Sequence, residues 1–248
     1  MSTYCIIPAR IGSTRLQDKP LRLISAKPLI LHVLDHAKKI QGIDGVYIAT
    51  DNAKIAGCVK EAGGEAIMTP SELASGTDRV ACSARLIGCS SNDIIINIQG
   101  DQPFFDPDYA RLLIEILEQN KNVSISTLAC PIDFNEAKNP NRVKVILDKY
   151  NNALYFSRSV IPYVRDSNPS DLKYLRHIGV YGYRNDFLQT FTSLDKSFLE
   201  DMEKLEQLRA LENGYKIGVG IVEQAPIDID TEEDLLAANK DYKKFILS

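Results

Sequence analysis

IIPARIGSTRLQDKP, residues Ile6 to Pro20, decides how this chain is read. Two β-branched residues run into Pro8, so the chain leaves an apolar strand in an extended conformation. The loop that follows carries Arg10, Arg15 and Lys19 around Gly12, Ser13 and Thr14, and has almost nothing to bury. A first strand that opens at its carboxyl end into a glycine-bearing, cationic loop is where α/β sheets bind anions. Three cations and unpaired backbone N–H groups suit a polyphosphate better than a single carboxylate. A solvated surface loop is the bland alternative; the position at the end of the first strand favours the phosphate site.

Composition sets the wider frame. The 248 residues suffice for one large α/β domain with a substantial core. Charged residues make up 25% and hydrophobic residues 44%, as in soluble globular proteins. A net charge of -4 argues against a general nucleic-acid binder, so the basic loop acts locally. Cys5, Cys58, Cys82, Cys89 and Cys130 show neither a CxxC spacing nor a disulfide framework, which predicts reduced thiols and a cytoplasmic protein. The start, MSTYCIIPAR, has no basic-then-apolar leader pattern, and no run is long enough for a membrane span, so no membrane insertion is expected.

Outward from the first loop, short β-branched runs alternate with amphipathic stretches. Tyr4 to Ile7, Val46 to Ala49, Ala66 to Met68 and Ile94 to Ile98 read as strands. The last is almost wholly apolar, the pattern of a parallel-sheet strand covered on both faces. Pro28 to Lys39 reads as a helix, with Leu29, Ile30, Val33, Leu34 and Ala37 at helical spacing. Further helices are expected from Ala53 to Ala62, stopped by Gly63-Gly64, after the capping box Ser75-Gly76-Thr77-Asp78, and from Asp106-Pro107 to Leu117.

The regularity weakens after a strand at Val123 to Leu128. Val143 to Leu147 and Ala153 to Phe156 flank a polar turn as an antiparallel hairpin. Tyr163 to Lys173 is expected to be a mobile loop and His177 to Tyr183 a strand. Leu199 to Leu211 reads as one long helix carrying Leu205, Leu208 and Leu211 inward. Lys216 to Val222 returns to strand, and Thr231 to Phe245 closes the chain as a helix. The expected fold is α/β: a Rossmann-like, doubly wound, mixed but mostly parallel sheet with an inserted antiparallel hairpin lobe. One domain, 1–248, is expected to carry that lobe at about 130–183.

Two acidic motifs matter next. Asn97-Ile98-Gln99-Gly100-Asp101-Gln102-Pro103 ends the all-apolar strand. Asp101 there either reaches a metal at the sheet edge or hydrogen-bonds a tight turn. Asp228-Ile229-Asp230-Thr231 precedes the last helix. Asp230 or Thr231 caps that helix, or Asp230 shares a magnesium ion with Asp101, with Asp228 a weaker third. Arg79 and Arg158 either contact substrate anions or pair with carboxylates. His177, beside Arg176, divides between ligand and structural roles. His32 and His36, one helical turn apart, are weak evidence for metal without further ligands. Glu203 and Glu206 fall on the expected long helix, where Glu206 shares a face with Met202. Neither G-x-G-x-x-G nor a P-loop occurs, which argues against a nicotinamide dehydrogenase and a Walker-type NTPase.

Taken together and in order, IIPARIGSTRLQDKPL, IATD, SGTDR, NIQGDQP, VKVILD, ALYFSR, HIGVYGYR, LEQLRALENG and IDIDTEEDL cover nearly the full chain. The set resembles the 3-deoxy-D-manno-octulosonate (Kdo) cytidylyltransferases, or CMP-Kdo synthetases, of the nucleotide-diphospho-sugar transferase type. The resemblance implies transfer of CMP from CTP to the anomeric 2-hydroxyl of Kdo, releasing pyrophosphate and forming CMP-Kdo for lipopolysaccharide biosynthesis. It implies Mg²⁺ on Asp101 and Asp230, and catalysis by Lys19, Arg10 and Arg15 with those two aspartates. Pro8, Ala9, Ser75, Gly76, Arg79 and Gln99 then join Arg10, Arg15, Lys19 and Asp101 around CTP. Gln102, Arg158, His177, Tyr181, Glu206 and Gln207 fall on the sugar side. A homodimer through the hairpin lobe is implied as well.

Three departures stand out. Gln17-Asp18 replaces the family's usual Pro-Gly before the loop lysine, Gln102 replaces a common glutamate, and SGTDR replaces the commoner SGTER. The last is similar to relatives acting on the 8-amino sugar. The competing readings are a cytidylyltransferase for 8-amino-Kdo or an acylneuraminate-like acid, and a nucleotide-sugar sensor or assembly protein that keeps the scaffold without catalysis.

Overall fold

The computed structural model describes residues 1–12, 16–166 and 168–247. They fall into two compact units, one made of Met1–Arg111 with the chain from Pro226 onward, the other of Leu112–Ala225. Arg15 lies outside the described residues.

The first unit runs β1 (Thr3–Ala9), β2 (Leu23–Ile24), β3 (Lys27–Pro28), α1 (Leu29–Ala37), β4 (Gly45–Thr50), α2 (Ala53–Glu61), β5 (Glu65–Met68), α3 (Gly76–Ile87) and β6 (Ile94–Asn97). β1 pairs in parallel with β4 and with β6, and β4 in parallel with β5. The order β6-β1-β4-β5 therefore builds away from one side of β1 and then crosses to the other. Such a reversal leaves a crevice at the carboxyl ends of β1 and β6, the place where open α/β sheets bind ligands.

Local sequence explains the elements. Every residue of β6 is buried, as expected of a strand covered on both faces. α1 buries the five apolar residues that its periodicity singled out. Asn52 caps α2 by accepting from the amides of Lys54 and Ile55. Ser75 and Asp78 form the expected capping box at α3 through reciprocal bonds of 3.1 and 3.0 Å. Gly100 answers a close approach, because a Cβ there would lie 2.7 Å from the Pro8 carbonyl oxygen. The β2–β3 ribbon turns through Ser25 and Ala26 at φ 48° and 65°. Left-handed turns of that kind usually announce themselves with Asn-Gly, which this stretch lacks.

α4 (Pro107–Gln119) leads into the second unit. There follow β7 (Val123–Ile132), α5 (Phe134–Ala137), β8 (Lys144–Leu147), β9 (Ala153–Ser157), β10 (Tyr174–Arg184), α6 (Asn185–Ser193), α7 (Phe198–Glu203), α8 (Leu208–Glu212) and β11 (Lys216–Ile221). β11 pairs in parallel with β7; the remaining pairs, β7–β10, β10–β8 and β8–β9, are antiparallel. The β8–β9 hairpin forms where its sequence predicts. Val145 and Phe156 are buried on it, while Leu154 and Tyr150 are exposed. Residues 163–166 and 168–173 are irregular apart from a 3-10 turn at Pro169–Asp171.

One expectation needs correcting. The long helix from Leu199 to Leu211 is two short ones, α7 and α8, broken at Lys204 with φ 53°. The Glu203 carboxylate accepts from Ser157 Oγ and the Arg158 amide, which fixes the end of α7 just before the chain turns. Leu205 and Leu208 still pack inward, but Leu211 is half-buried, and Glu206 lies in the corner rather than on a helix face with the exposed Met202.

α9 (Glu232–Leu247) belongs to the first unit. Its cap is Thr231, whose Oγ accepts from the Asp234 amide at 3.2 Å while Asp234 accepts from the amides of Asp230 and Thr231. No helix among the described residues is long and apolar enough to cross a membrane.

Candidate active site

A cavity of about 370 Å³ opens at the carboxyl ends of β1 and β6. Pro8, Ala9 and the exposed Arg10 form its β1 wall, and Gln99, Gly100 and Asp101 its β6 wall. Ser75, Gly76 and Arg79 bring in the start of α3. Lys19 and Asp230 complete the set of interest. Apart from Arg15, all the nucleotide-side residues implied by the resemblance therefore line one cavity.

Lys19 is its electrostatic centre. It begins the 3-10 turn Lys19–Leu21, entered through Asp18 at φ 52°, and its ammonium lies 2.8 Å from Asp101 Oδ2 and 2.9 Å from Asp230 Oδ1. Burial works against the charged lysine, but Asp101 and Asp230 outweigh it and hold the ammonium above the ordinary lysine value. The two aspartates come from segments joined by the Ile229 amide donating to the Asp101 carbonyl at 3.0 Å. Because Thr231 caps α9, the Asp230 carboxylate is turned to Lys19 instead. Asp228 accepts from Gln102 Nε2 at 2.8 Å, and the Gln102 Oε1 is buried without a hydrogen-bond partner among the described residues.

Arg79 is 3% exposed; its guanidinium pairs with Asp51 at 2.9 Å and also donates to Thr69. Gln99 Nε2 makes a long contact of 3.5 Å to Asn97. His32 and His36 each place a ring nitrogen on a backbone carbonyl, of Ile24 and Phe105 respectively. Burial lowers both imidazoles, so packing accounts for the pair. Among the described residues no three His, Cys, Asp or Glu side chains gather as a metal cage.

The sugar-side residues other than Gln102 belong to the second unit. His177 is buried, with Nε2 2.9 Å from Thr127 Oγ1 and its ring against Phe156 and Tyr181. Burial, with Arg176 adding to it, pushes the imidazole down to about 3, so it is neutral near pH 7. The Tyr181 hydroxyl makes a 3.4 Å contact to Gln207 Oε1. Gln207 Nε2 is buried with no hydrogen-bond partner among the described residues. Arg158 directs Nε to the Glu203 carbonyl at 2.7 Å and a terminal nitrogen to that of Lys204 at 3.4 Å. It thus closes the carboxyl end of α7 with positive charge. Sequence reading missed Lys144 as a support, because it acts on backbone carbonyls that no motif marks; of the two cap candidates, Thr231 is the one that caps α9, with Asp234 as its partner.

A cationic crevice with paired carboxylates, at the switch point of a parallel sheet, is the arrangement of a nucleotidyltransferase. A cytidylyltransferase family model matches residues 4–217. An 8-amino-3,8-dideoxy-manno-octulosonate cytidylyltransferase of Shewanella pealeana is 44% identical over 95% of this chain and 96% of its own. A 3-deoxy-manno-octulosonate cytidylyltransferase of Thermodesulfovibrio yellowstonii is 45% identical over 97% and 98%. The solved structure of a CMP:2-keto-3-deoxy-manno-octonic acid synthetase complexed with CTP superposes with TM-score 0.93 at 37% identity, covering 98% of this chain and 99% of that one. The chain belongs to the cytidylyltransferase family, in the branch these octulosonate enzymes represent.

Proposed function

We propose that the protein transfers CMP from CTP to the anomeric hydroxyl of a 3-deoxy-manno-octulosonate, releasing pyrophosphate and forming the CMP-sugar used for lipopolysaccharide. The observation that carries this is the Lys19 ammonium held between Asp101 and Asp230 in the cavity at the ends of β1 and β6. Phosphoryl-type displacement asks for alignment and charge neutralisation more than covalent catalysis. Arg10 and Lys19, with Arg15, supply positive charge where the triphosphate develops negative charge. The amides opening α3 beside Ser75 and Gly76 add donors at a helix N-terminus.

The donor set fits magnesium. Two carboxylates that share one cation present hard oxygens to one point, and a triphosphate supplies the remaining ligands. Bound there, Mg²⁺ would neutralise phosphate charge and favour the deprotonated hydroxyl. Asp101 and Asp230 would hold it, leaving Lys19 to the phosphates.

Arg158, Glu206 and Gln207 are the polar candidates for the sugar acid, and the unpartnered Gln207 Nε2 supports a ligand acceptor there. Neutral, buried His177 acts as packing and a hydrogen-bond anchor for that subsite rather than as a charge. Relatives named for the plain and the 8-amino sugar match almost equally well, so the 8-amino acid is the second reading. We also read the protein as a homodimer, on the exposed Leu154 and Tyr150 of the β8–β9 hairpin, and as cytoplasmic, on its free cysteines.

Calorimetric titration with CTP, UTP, ATP and GTP tests the nucleotide; tighter binding of a purine would reject cytosine recognition. Competing the two sugar acids in one reaction then ranks them by product mass. A protein that binds CTP but transfers to neither acid would be the sensor or assembly alternative.

A further inference from the structure

Lys144 is fully buried in β8 and faces no carboxylate at hydrogen-bond distance among the described residues. Its ammonium donates to two backbone carbonyls, Arg158 at 2.5 Å and Asn139 at 3.3 Å. Burying an ammonium is expensive, and backbone carbonyls alone compensate it poorly. Burial accordingly lowers its proton affinity, with the Glu203 charge opposing and Arg158 adding to the shift. A methionine would fill the same space at less cost, so the charge has a task that packing does not explain.

That task is visible at Arg158. Lys144 takes its carbonyl, while Glu203 takes its amide at 2.9 Å and the neighbouring Ser157 hydroxyl at 2.6 Å. The peptide groups on both sides of Arg158 are thus clamped by opposite charges on separate elements. Its guanidinium in turn binds the carbonyls of Glu203, Lys204 and Pro140. Those bonds stabilise the left-handed turn at Lys204, which brings Glu206 and Gln207 round to the half of the unit that holds Tyr181.

We propose that Lys144 and Glu203 are positioning residues for the sugar-acid subsite, acting through Arg158 and the corner that carries Glu206 and Gln207. This rests on the reading of Arg158, Glu206 and Gln207 as sugar contacts given above. Neither Lys144 nor Glu203 touches the sugar; they set the angle from which its contacts reach it.

The test uses the full chain as Lys144→Met, Glu203→Gln, Arg158→Ala and the double variant Lys144→Met with Arg158→Ala. Transfer by the unmutated protein, and a raised sugar KM in Arg158→Ala relative to it, first establish the subsite; absence of either overturns the underlying reading, separately from the clamp. Given both, Lys144→Met and Glu203→Gln should each raise KM for the sugar acid about 10-fold or more, with KM for CTP and calorimetric CTP affinity within about two-fold. In the double variant, Lys144→Met should add nothing to the KM of Arg158→Ala, since both act through one group. Glu203→Gln keeps an acceptor for Ser157 and carries the test if Lys144→Met fails to fold. An unchanged sugar KM in folded variants, equal rises for sugar and CTP, or additive effects in the double variant would each overturn the clamp.

Discussion

Lys19 Nζ lies 2.8 Å from Asp101 Oδ2, and the same ammonium is 2.9 Å from Asp230. A lysine therefore stands where two carboxylates would share a divalent cation. On the function proposed above, triphosphate and metal together would offer both partners a better arrangement: phosphate for the lysine, a doubly charged ion for the aspartates.

The first prediction follows from that competition. Divalent metal alone should bind the nucleotide-free protein weakly, and Lys19→Met should tighten Mn²⁺ binding about 10-fold or more by removing the internal cation. The same variant should be slow in transfer, having lost charge at the phosphates. Manganese spin resonance reads the first effect without turnover. Tight Mn²⁺ binding already present in the wild type would remove the lysine from this role. Raising the pH offers no shortcut: the ammonium's folded value lies above the ordinary 10.5, so its contribution is complete below that value and lost only in stronger base.

Gly100→Ala probes the close approach of the β6 loop to β1. The added Cβ would meet the Pro8 carbonyl oxygen at 2.7 Å, and backbone cannot swing away as a side-chain tip can. Unfolding in urea should register a loss of about 1–3 kcal/mol, and displacement of Asp101 should lower turnover further in the folded fraction. Wild-type stability and rate together would mean that the two strand ends have slack.

His177 gives a pH dependence. Its imidazole is lowered from 6.5 to about 3 in the folded protein, so the unfolded chain binds the extra proton between those values. Stability from this group is complete above 6.5 and falls as pH drops toward 3, at up to about 1.4 kcal/mol per pH unit. Urea unfolding across that window, compared between wild type and His177→Gln, should show the slope reduced by close to one proton in the variant. Parallel slopes would show that His177 titrates similarly in both states.

Assembly can be checked through Leu154, exposed on β9. Sedimentation equilibrium should return twice the 27.6 kDa chain mass for the wild type and a shift toward the single chain for Leu154→Lys. A single-chain mass for the wild type at all working concentrations would end the dimer reading.

The sheet's parallel half was legible because each device is local. Four β-branched or apolar runs, the Ser75–Asp78 box and the Gly63 stop are written in consecutive residues. The candidate cavity was legible for a related reason: the cations follow one strand and Asp101 follows another, and βα repeats bring such ends together. What stayed hidden depends on distant partners. The break at Lys204 has no glycine or proline to announce it; it rests on Glu203 meeting Ser157 at the end of β9 and Arg158 just after it. The β2–β3 turn uses Ser25 and Ala26 where Asn-Gly is usual. The choice between Asp230 and Thr231 as cap was equally undecidable until Asp234 was seen bonded to Thr231.

Phosphorus NMR of the full reaction tests the central claim most directly. With CTP, Mg²⁺ and a 3-deoxy-manno-octulosonate or its 8-amino form, the wild type should yield pyrophosphate and a CMP-sugar diester in equal amounts. Asp101→Asn and Asp230→Asn should fold, keep the α9 cap on Thr231, and slow that reaction by about 10²–10³. No diester from either acid at saturating CTP, or wild-type rates in both folded aspartate variants, would contradict the account.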